Sequence, residues 1–361
     1  GSDLTISNVS FHPLAGNILD GITNITIDPS AVVSHLANVA SEDWTLEIDI
    51  PGNLTIPSGA SINLDGRGYE DREGPGNIYQ YGHGGSYGGR GGKSSYTSDS
   101  GPTYGSITGP LNIGSGGGWY NNGGGINHGG GAMKLTVGGT TALDGDLSAD
   151  GQGISEGLTD SAMGGGSGGS VWLTTSALTG SGTITADGGP ALYSNGSGGG
   201  GGRISVVLTG SGSFASVTMT ATGGTSVAVN TEGAAGTIYR QTQSHGDGGG
   251  IVLIDNKRHD SNRDTDIFPV SLTNEIANAA LIVTNTGTTV VLYSDIFLRE
   301  VLLYAGVDVT LGSYTMYVNS AEHNLEDVTD PTPGVTNQVD DYSHIIWLGV
   351  DSYEGTVIMF L

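Results

Sequence analysis

Apolar and polar positions alternate along most of this chain with the period of a strand, not of a helix. The pattern is clear in NLTIPSGASINLDG (53–66), AMKLTV (132–137), SVWLTT (170–175) and RISVVLTG (203–210). These runs are rich in Val, Ile, Leu and Thr and are bounded by Gly, Ser, Asn and Asp, so they predict short strands between turns. NEIANAALIV (274–283) also fits a helix at its start. From Gly250 onward glycine thins and β-branched runs dominate: IVLIDN (251–256), ALIVTNTGTTVVLY (280–293), LREVLLYAGVDVTLGSYTMYVN (298–319) and HIIWLGV (344–350). These read as further strands of one and the same architecture. The acidic stretch 324–342, with Pro331 and Pro333, reads as an excursion.

An internal repeat organises the middle of the chain. INLDG (62–66), LSADG (147–151), ITADG (184–188) and MTATG (219–223) share one pattern, ending in Asp-Gly or Thr-Gly. A second strand follows a glycine run each time and starts at Ala132, Ser170, Arg203 and Thr237, spaced by 38, 33 and 34 residues. A unit this short cannot bury its apolar face alone, whereas stacked copies build a continuous core. The same order of strand and turn in every unit predicts an all-β fold, a parallel β-helix or solenoid with Gly-rich turns and loops. Its hand is expected to be right-handed, the default for parallel crossovers. Glycine is expected at the corners, where stacked turns need positive φ and close backbone approach. The expected organisation is N-terminal strands and solenoid start over 1–68, a Gly/Tyr-rich insertion over 69–131, Gly-rich repeats over 132–250 and a C-terminal solenoid region over 251–361.

Composition sharpens this picture. The chain has 66 Gly in 361 residues and no Cys, which removes disulfides and thiolate metal sites. Its 11 Lys+Arg against 36 Asp+Glu give a formal net charge of −25. Such a surface repels phosphates and anionic headgroups, so neither nucleic acid nor membrane insertion is expected, and no apolar run approaches a membrane span. Gly1-Ser2 reads as a processed or cloned start, and the apolar VIMFL end as the interior of a longer chain.

The stretch GGSYGGRGGKSS (84–95) nearly spells a phosphate-binding loop, but Tyr87 stands where its first Gly belongs and no helix is predicted to follow. Nucleotide binding is therefore not expected. The insertion instead concentrates Tyr69, Tyr79, Tyr81, His83, Tyr87, Arg90, Lys93, Tyr96, Tyr104, Trp119, Tyr120 and His128 among Gly and Asn. Aromatic faces stack on the C–H side of sugar rings while amides, hydroxyls and guanidinium groups bind sugar hydroxyls. Tyr79, Tyr81, His83, Tyr87, Arg90, Lys93, Tyr96, Trp119, Tyr120 and His128 are thus the candidate ligand contacts. The competing reading is that these aromatics are the only packing material in a segment poor in aliphatic residues.

For catalysis, His83, Arg90, Lys93 and Tyr96 lie close enough in sequence to build a lyase site, and Asp65, Glu70, Asp71 and Glu73 offer carboxylates to a hydrolase. The scarcity of basic residues opposes a polyanionic lyase substrate. DSNRDTD places Asp260, Asn262, Asp264 and Asp266 at alternate positions like oxygen ligands of calcium, without the Gly and Glu of a full calcium loop. Asp144, Asp146 and Asp150 form a weaker set. Calcium is the one cofactor admitted; no other is expected.

The order of GHGGSYGGRGGKS, GSGGG, GGGAMKLTV…LDGDLSADG, GGGSGGSVWLTTSALTGSGTITADGG, GGGGGRISV and GAAGTIY resembles the glycine-rich, pectin-lyase-like β-helix regions of secreted bacterial adhesins and autotransporter passengers, over about residues 53–320. A weaker likeness is to phage tail adhesins, whose glycine runs pack as bundles of extended polyglycine helices instead of β-helix corners. The first resemblance implies an extracellular or cell-surface location and an adhesive or structural role. The sequence is therefore read as a surface module contacting a polysaccharide or cell-surface glycan through its insertion, with self-association through open solenoid ends. The alternatives are a polysaccharide lyase or hydrolase on the same fold, a self-assembling filament or matrix subunit, and a phage tail adhesin.

Overall fold

The computed structural model describes residues 1–7, 10–11, 21–78, 81–94, 99–119, 127–153, 163–192, 195–227, 231–257, 264–267, 275–285, 287–304, 306–319, 338–340 and 342–348. These are nearly all β, with two single-turn 3-10 helices at Gln243–His245 and Tyr342–His344. Residues 275–278 form turns rather than the start of a helix, and Ala280–Thr284 is a strand.

One long sheet of eleven strands runs through the molecule. Its strands stack in chain order through Ser2–Ile6, Ile22–Ile27, Leu54–Ile56, Ala132–Leu143, Ser170–Thr179, Arg203–Leu208 and Thr237–Gln241, all parallel. Leu46–Ile50 pairs beside Leu54–Ile56 on the same long strand. A second, six-stranded parallel sheet includes Ser61–Asn63, Asp146–Ser148, Thr183–Thr185 and Thr218–Thr220, again in chain order. The repeat starts Ala132, Ser170, Arg203 and Thr237 are direct register partners, and so are Ile62, Leu147, Ile184 and Met219 of the pentapeptides. The inward rows Met133, Val171 and Ile204, and Ile62, Leu147 and Ile184, face one another in a single core.

The C-terminal third departs from a simple continuation. Ile251–Asp255 pairs antiparallel with Thr237–Gln241, and the strands after it, Ala280–Thr284 and Glu300–Leu303, are parallel to Ile251–Asp255. The core changes face at the same place. Ile238 belongs to the first core, but its neighbour Tyr239 belongs to a second one together with Val252, Ile254, Leu281 and Val301. Leu253, the register partner of Ile238, packs against the first core. Two cores therefore lie on opposite faces of one sheet. Sheets Asp264–Ile267, Thr289–Leu292, Asp308–Thr310 and Gln338–Val339, and Ile296–Leu298, Met316–Val318 and Ile345–Trp347, complete the second unit.

The glycine runs differ from the corners expected of them. Single glycines such as Gly59 (φ 86°) and Gly180 (φ 103°) do make the positive-φ turns between the two sheets. The runs, however, are extended and hydrogen-bond to one another. In residues 196–202 the amides of Gly198 and Gly201 donate to Thr231 and Ala234, those of Gly199 and Gly202 to Gly189 and Ala186, and that of Gly200 to Gly85. The carbonyls of Ser197 and Gly200 accept from Gly165 and Gly168, those of Gly198 and Gly201 from Gly92 and Gly89, and that of Gly199 from Gly224. These bonds are 2.7–2.9 Å long, and the partner run recurs every third residue. That is the signature of an extended helix with three residues per turn and no internal hydrogen bonds. No glycine of this run has positive φ. Glycine is required there by proximity: a Cβ on Gly200 would collide with the Gly89 carbonyl oxygen.

A strap over residues 103–113 crosses the face of the long sheet opposite the first core. Ser170 Oγ donates to the Asn112 carbonyl (2.6 Å), Ser205 Oγ to Thr108 (2.6 Å) and Arg203 Nε to Tyr104 (2.9 Å). Its Ile107 amide donates to the Glu275 carboxylate (2.7 Å), and the Ile107 side chain enters the second core.

These contacts make a direct test of the lattice. Gly200→Ala is expected to cost about 3 kcal/mol or more, the upper range of overpacking, because backbone oxygens cannot repack as side chains do. Gly212→Ala, where the nearest atom to a new Cβ is Leu208 Cδ1 at 4.0 Å, should stay within about 0.5 kcal/mol of wild type in urea denaturation.

Candidate functional site

The starts of three glycine runs that enter long-sheet strands, at Met163, Gly196 and Thr231, lie beside one another. Met163, at the start of run 163–169, forms a bridge with Trp119, and both cluster with Ala191. Ala191 in turn bridges Ser226, its amide donating to the Thr225 carbonyl (2.8 Å). Ser226 Oγ donates to the Gly196 carbonyl (3.0 Å) and accepts from Thr231 Oγ1 (2.8 Å). Gly82 lies against the Asn195 carbonyl, and Ser94 Oγ donates to the Tyr81 carbonyl (2.6 Å). Around this small apolar cap, Tyr81 (46 % exposed), Leu192 (43 %) and Val227 (61 %) present apolar surface to solvent. Hydroxyls and backbone carbonyls surround them, and Lys93 and Glu232 stand in the same runs, each half-buried.

The candidate contacts fall into three groups. Tyr81 is open to solvent, and Lys93 and His128 are half-buried. His83, Tyr87 and Trp119 are buried, Trp119 against Met163 and Ala191. Tyr79, Tyr96 and Tyr120 lie outside the described residues, as do Asp260 and Asn262. Asp264 and Asp266 belong to a strand paired with Thr289 and Val291, and their side chains are not described. Among the described residues, no group of three His, Asp or Glu side chains is placed to hold a metal.

The buried members have defined work. The Tyr87 hydroxyl meets Ser170 Oγ at 2.6 Å, its ring lies 4.7 Å from that of Tyr104, and the Arg203 guanidinium sits over it at 5.6 Å. Burial pushes its pKa up to about 12, with Arg203 opposing, so it stays a neutral phenol under the strap. Arg90 leads toward the second unit: its guanidinium donates to the Tyr293 hydroxyl (2.9 Å), lies over that ring at 5.8 Å and is 3.7 Å from Asp99. Asp65, from the carboxylate set, accepts from Asn63 Nδ2 (2.9 Å) and the Asp150 amide (2.8 Å), which occupies it structurally.

His83 Nδ1 donates to the Gly84 carbonyl (2.9 Å), and its own carbonyl accepts from Gly118 (2.8 Å). Burial lowers its pKa to about 4, so the ring is neutral at physiological pH. Leu192, Val227, Met163 and Ala191 escape a sequence reading that looks for aromatic and charged chemistry. The signal for them is modest: isolated apolar residues between glycine runs, where no strand is predicted. No family model matches the chain, and no curated protein or solved structure does either.

A folded-state pKa near 4 against an ordinary 6.5 means that stability tied to neutral His83 is fully present above pH 6.5 and is lost as pH falls toward 4. Wild type should therefore lose stability relative to His83→Gln across that window in parallel denaturation curves. Trp119→Ala should cost about 3 kcal/mol by emptying the cap.

Proposed function

We propose that this protein is an adhesive surface module in which a rigid β body presents the remote end of its glycine lattice to a polysaccharide. The observation that carries this reading is the convergence of the run ends around an apolar cap, with Tyr81, Leu192 and Val227 exposed among hydroxyl and carbonyl groups. A sugar offers both a C–H face for such a surface and hydroxyls for the polar rim. The fixed runs beneath hold the contact in place, so little ordering entropy is lost on binding.

The body itself is read as a parallel β-helix. Two facing parallel sheets stack in chain order over one core, in the manner of a coil. At the antiparallel junction both strand direction and core face reverse; these two inversions together preserve the hand of winding. Secretion or surface display is supported by the acidic composition, which suits solubility outside the cell. Calcium dependence is carried forward from the aspartates at 260–266.

A second reading is favoured by a specific observation. Extended, mutually hydrogen-bonded glycine runs are the feature that distinguishes a phage tail adhesin from an ordinary β-helix surface protein. Both readings are adhesive and share one contact surface.

The test is retention of the purified protein on a panel of immobilised polysaccharides, with and without calcium, while scoring the soluble fraction for shortened chains. Retention without shortening is expected, reduced about tenfold by Tyr81→Ala, which at 1.4 kcal/mol is the scale of one aromatic contact. Tyr87→Phe should leave retention unchanged while costing about 1 kcal/mol of stability through the lost Ser170 bond. Shortened chains would replace the adhesive reading with an enzymatic one, and no retention on any glycan would remove the polysaccharide partner.

A further inference from the structure

One side chain from the second unit is received by the strap that lies on the long sheet. The Glu275 carboxylate stands 168 residues along the chain from Ile107, whose amide donates to its Oε1 (2.7 Å). Its Oε2 accepts the hydroxyls of Ser106 and Thr108, the latter at 2.9 Å. Three successive residues of one turn thus aim neutral donors at a single carboxylate, and hydrogen bonds to an ionised acceptor are the strong ones. The turn is also held by bonds that do not involve Glu275. The Gly109 amide donates to Ser106 Oγ (2.9 Å), and the Thr108 carbonyl accepts Ser205 Oγ (2.6 Å) from the long sheet. Ser106 Oγ therefore accepts on one side and donates on the other, which orients its hydrogen toward the carboxylate.

Glu275 is equally well placed from its own side. Ile276, next in the chain, is buried in the second core with Ala279, whose amide donates to the Ile276 carbonyl (2.9 Å). The strand Ala280–Thr284 follows directly. At the junction the sheet joins the two units through three register pairs, Ile238 with Leu253, Tyr239 with Val252 and Arg240 with Ile251. The strap makes a second connection across the same place, since Ile107 sends its side chain into the second core and its amide to Glu275.

We propose that the turn Ser106–Thr108 is a carboxylate-binding site whose occupant is Glu275, and that this set of bonds fastens the second unit to the first. The site takes a carboxylate because its donors divide between two oxygens of one planar group, the amide to Oε1 and both hydroxyls to Oε2. Ser106, Thr108 and Glu275 are each half-buried, so a small carboxylate from solvent can reach the turn once the native one is removed.

The experiment is hydrogen–deuterium exchange of the full chain, followed in peptides over 103–113, 280–284 and 203–208. In Glu275→Ala, exchange over 103–113 and 280–284 should quicken about tenfold or more, the scale of one hydrogen bond to a charged group, while 203–208 in the long sheet keeps its wild-type rate. Thr108→Val, which removes one donor and keeps the shape, should quicken the same two peptides in the wild-type background and add nothing in Glu275→Ala. Added acetate should restore protection in Glu275→Ala, saturating with concentration, where chloride at equal ionic strength does not. Unchanged exchange in Glu275→Ala, equal quickening at 203–208, a further effect of Thr108→Val in that background, or acetate acting no better than chloride would each overturn the proposal.

Discussion

The structure depends on backbone hydrogen bonds made between glycine runs, without side chains. In residues 196–202 donors and acceptors point in succession to different neighbouring runs, each returning every third residue. A polypeptide can satisfy its amides this way only if neighbouring backbones approach closely, and a Cβ at a position such as Gly200 forbids that approach. Glycine's entropic cost on folding is high. Here it is offset by a network in which each ordered residue closes bonds in two directions.

That network explains the two cores around it. Runs entering the strands at Ala132, Ser170, Arg203 and Thr237 fix the spacing and register of the long sheet before any side chain is considered. Outgoing runs leave from Gly151 and Gly188, whose amides donate to the Asp187 and Thr222 carbonyls. The apolar side chains then need only fill the space between two sheets whose separation and register are set. The strap at 103–113 does the corresponding work on the other face, where Tyr87, Tyr104 and Arg203 fill the volume that small residues leave.

The sequence made the repeat legible because the four strand starts and the pentapeptides recur in a fixed order, and the structure pairs those same residues. It could not reveal the reversal at Ile251–Asp255, since alternation reads identically in either strand direction and on either face. Glycine density announced close backbone approach at Gly200 but not its geometry, because an extended run and a positive-φ corner have the same composition. The burial of Tyr87 and Trp119 was similarly hidden: an aromatic among glycines is equally suited to a ligand or to a void, and the contacts that bury these two, to Ser170 and Met163, lie 83 and 44 residues away. Tyr81, by contrast, is where the sequence put a candidate contact and where solvent reaches a ring.

The same constraint bears on what the remote end can do. Loops displayed by a mobile scaffold lose much of their freedom when they bind, and that loss comes out of the affinity. Runs whose amides and carbonyls are bonded to several neighbours have already lost it during folding. A change of residue at Leu192 or Val227, both exposed and apolar, alters a surface carried by those runs and leaves their backbone bonds in place. Such a division lets the contact surface vary in chemistry while the glycines beneath it cannot. A weak apolar contact with a sugar face, made by few side chains, is the kind of interaction that gains most from a support that is ordered in advance.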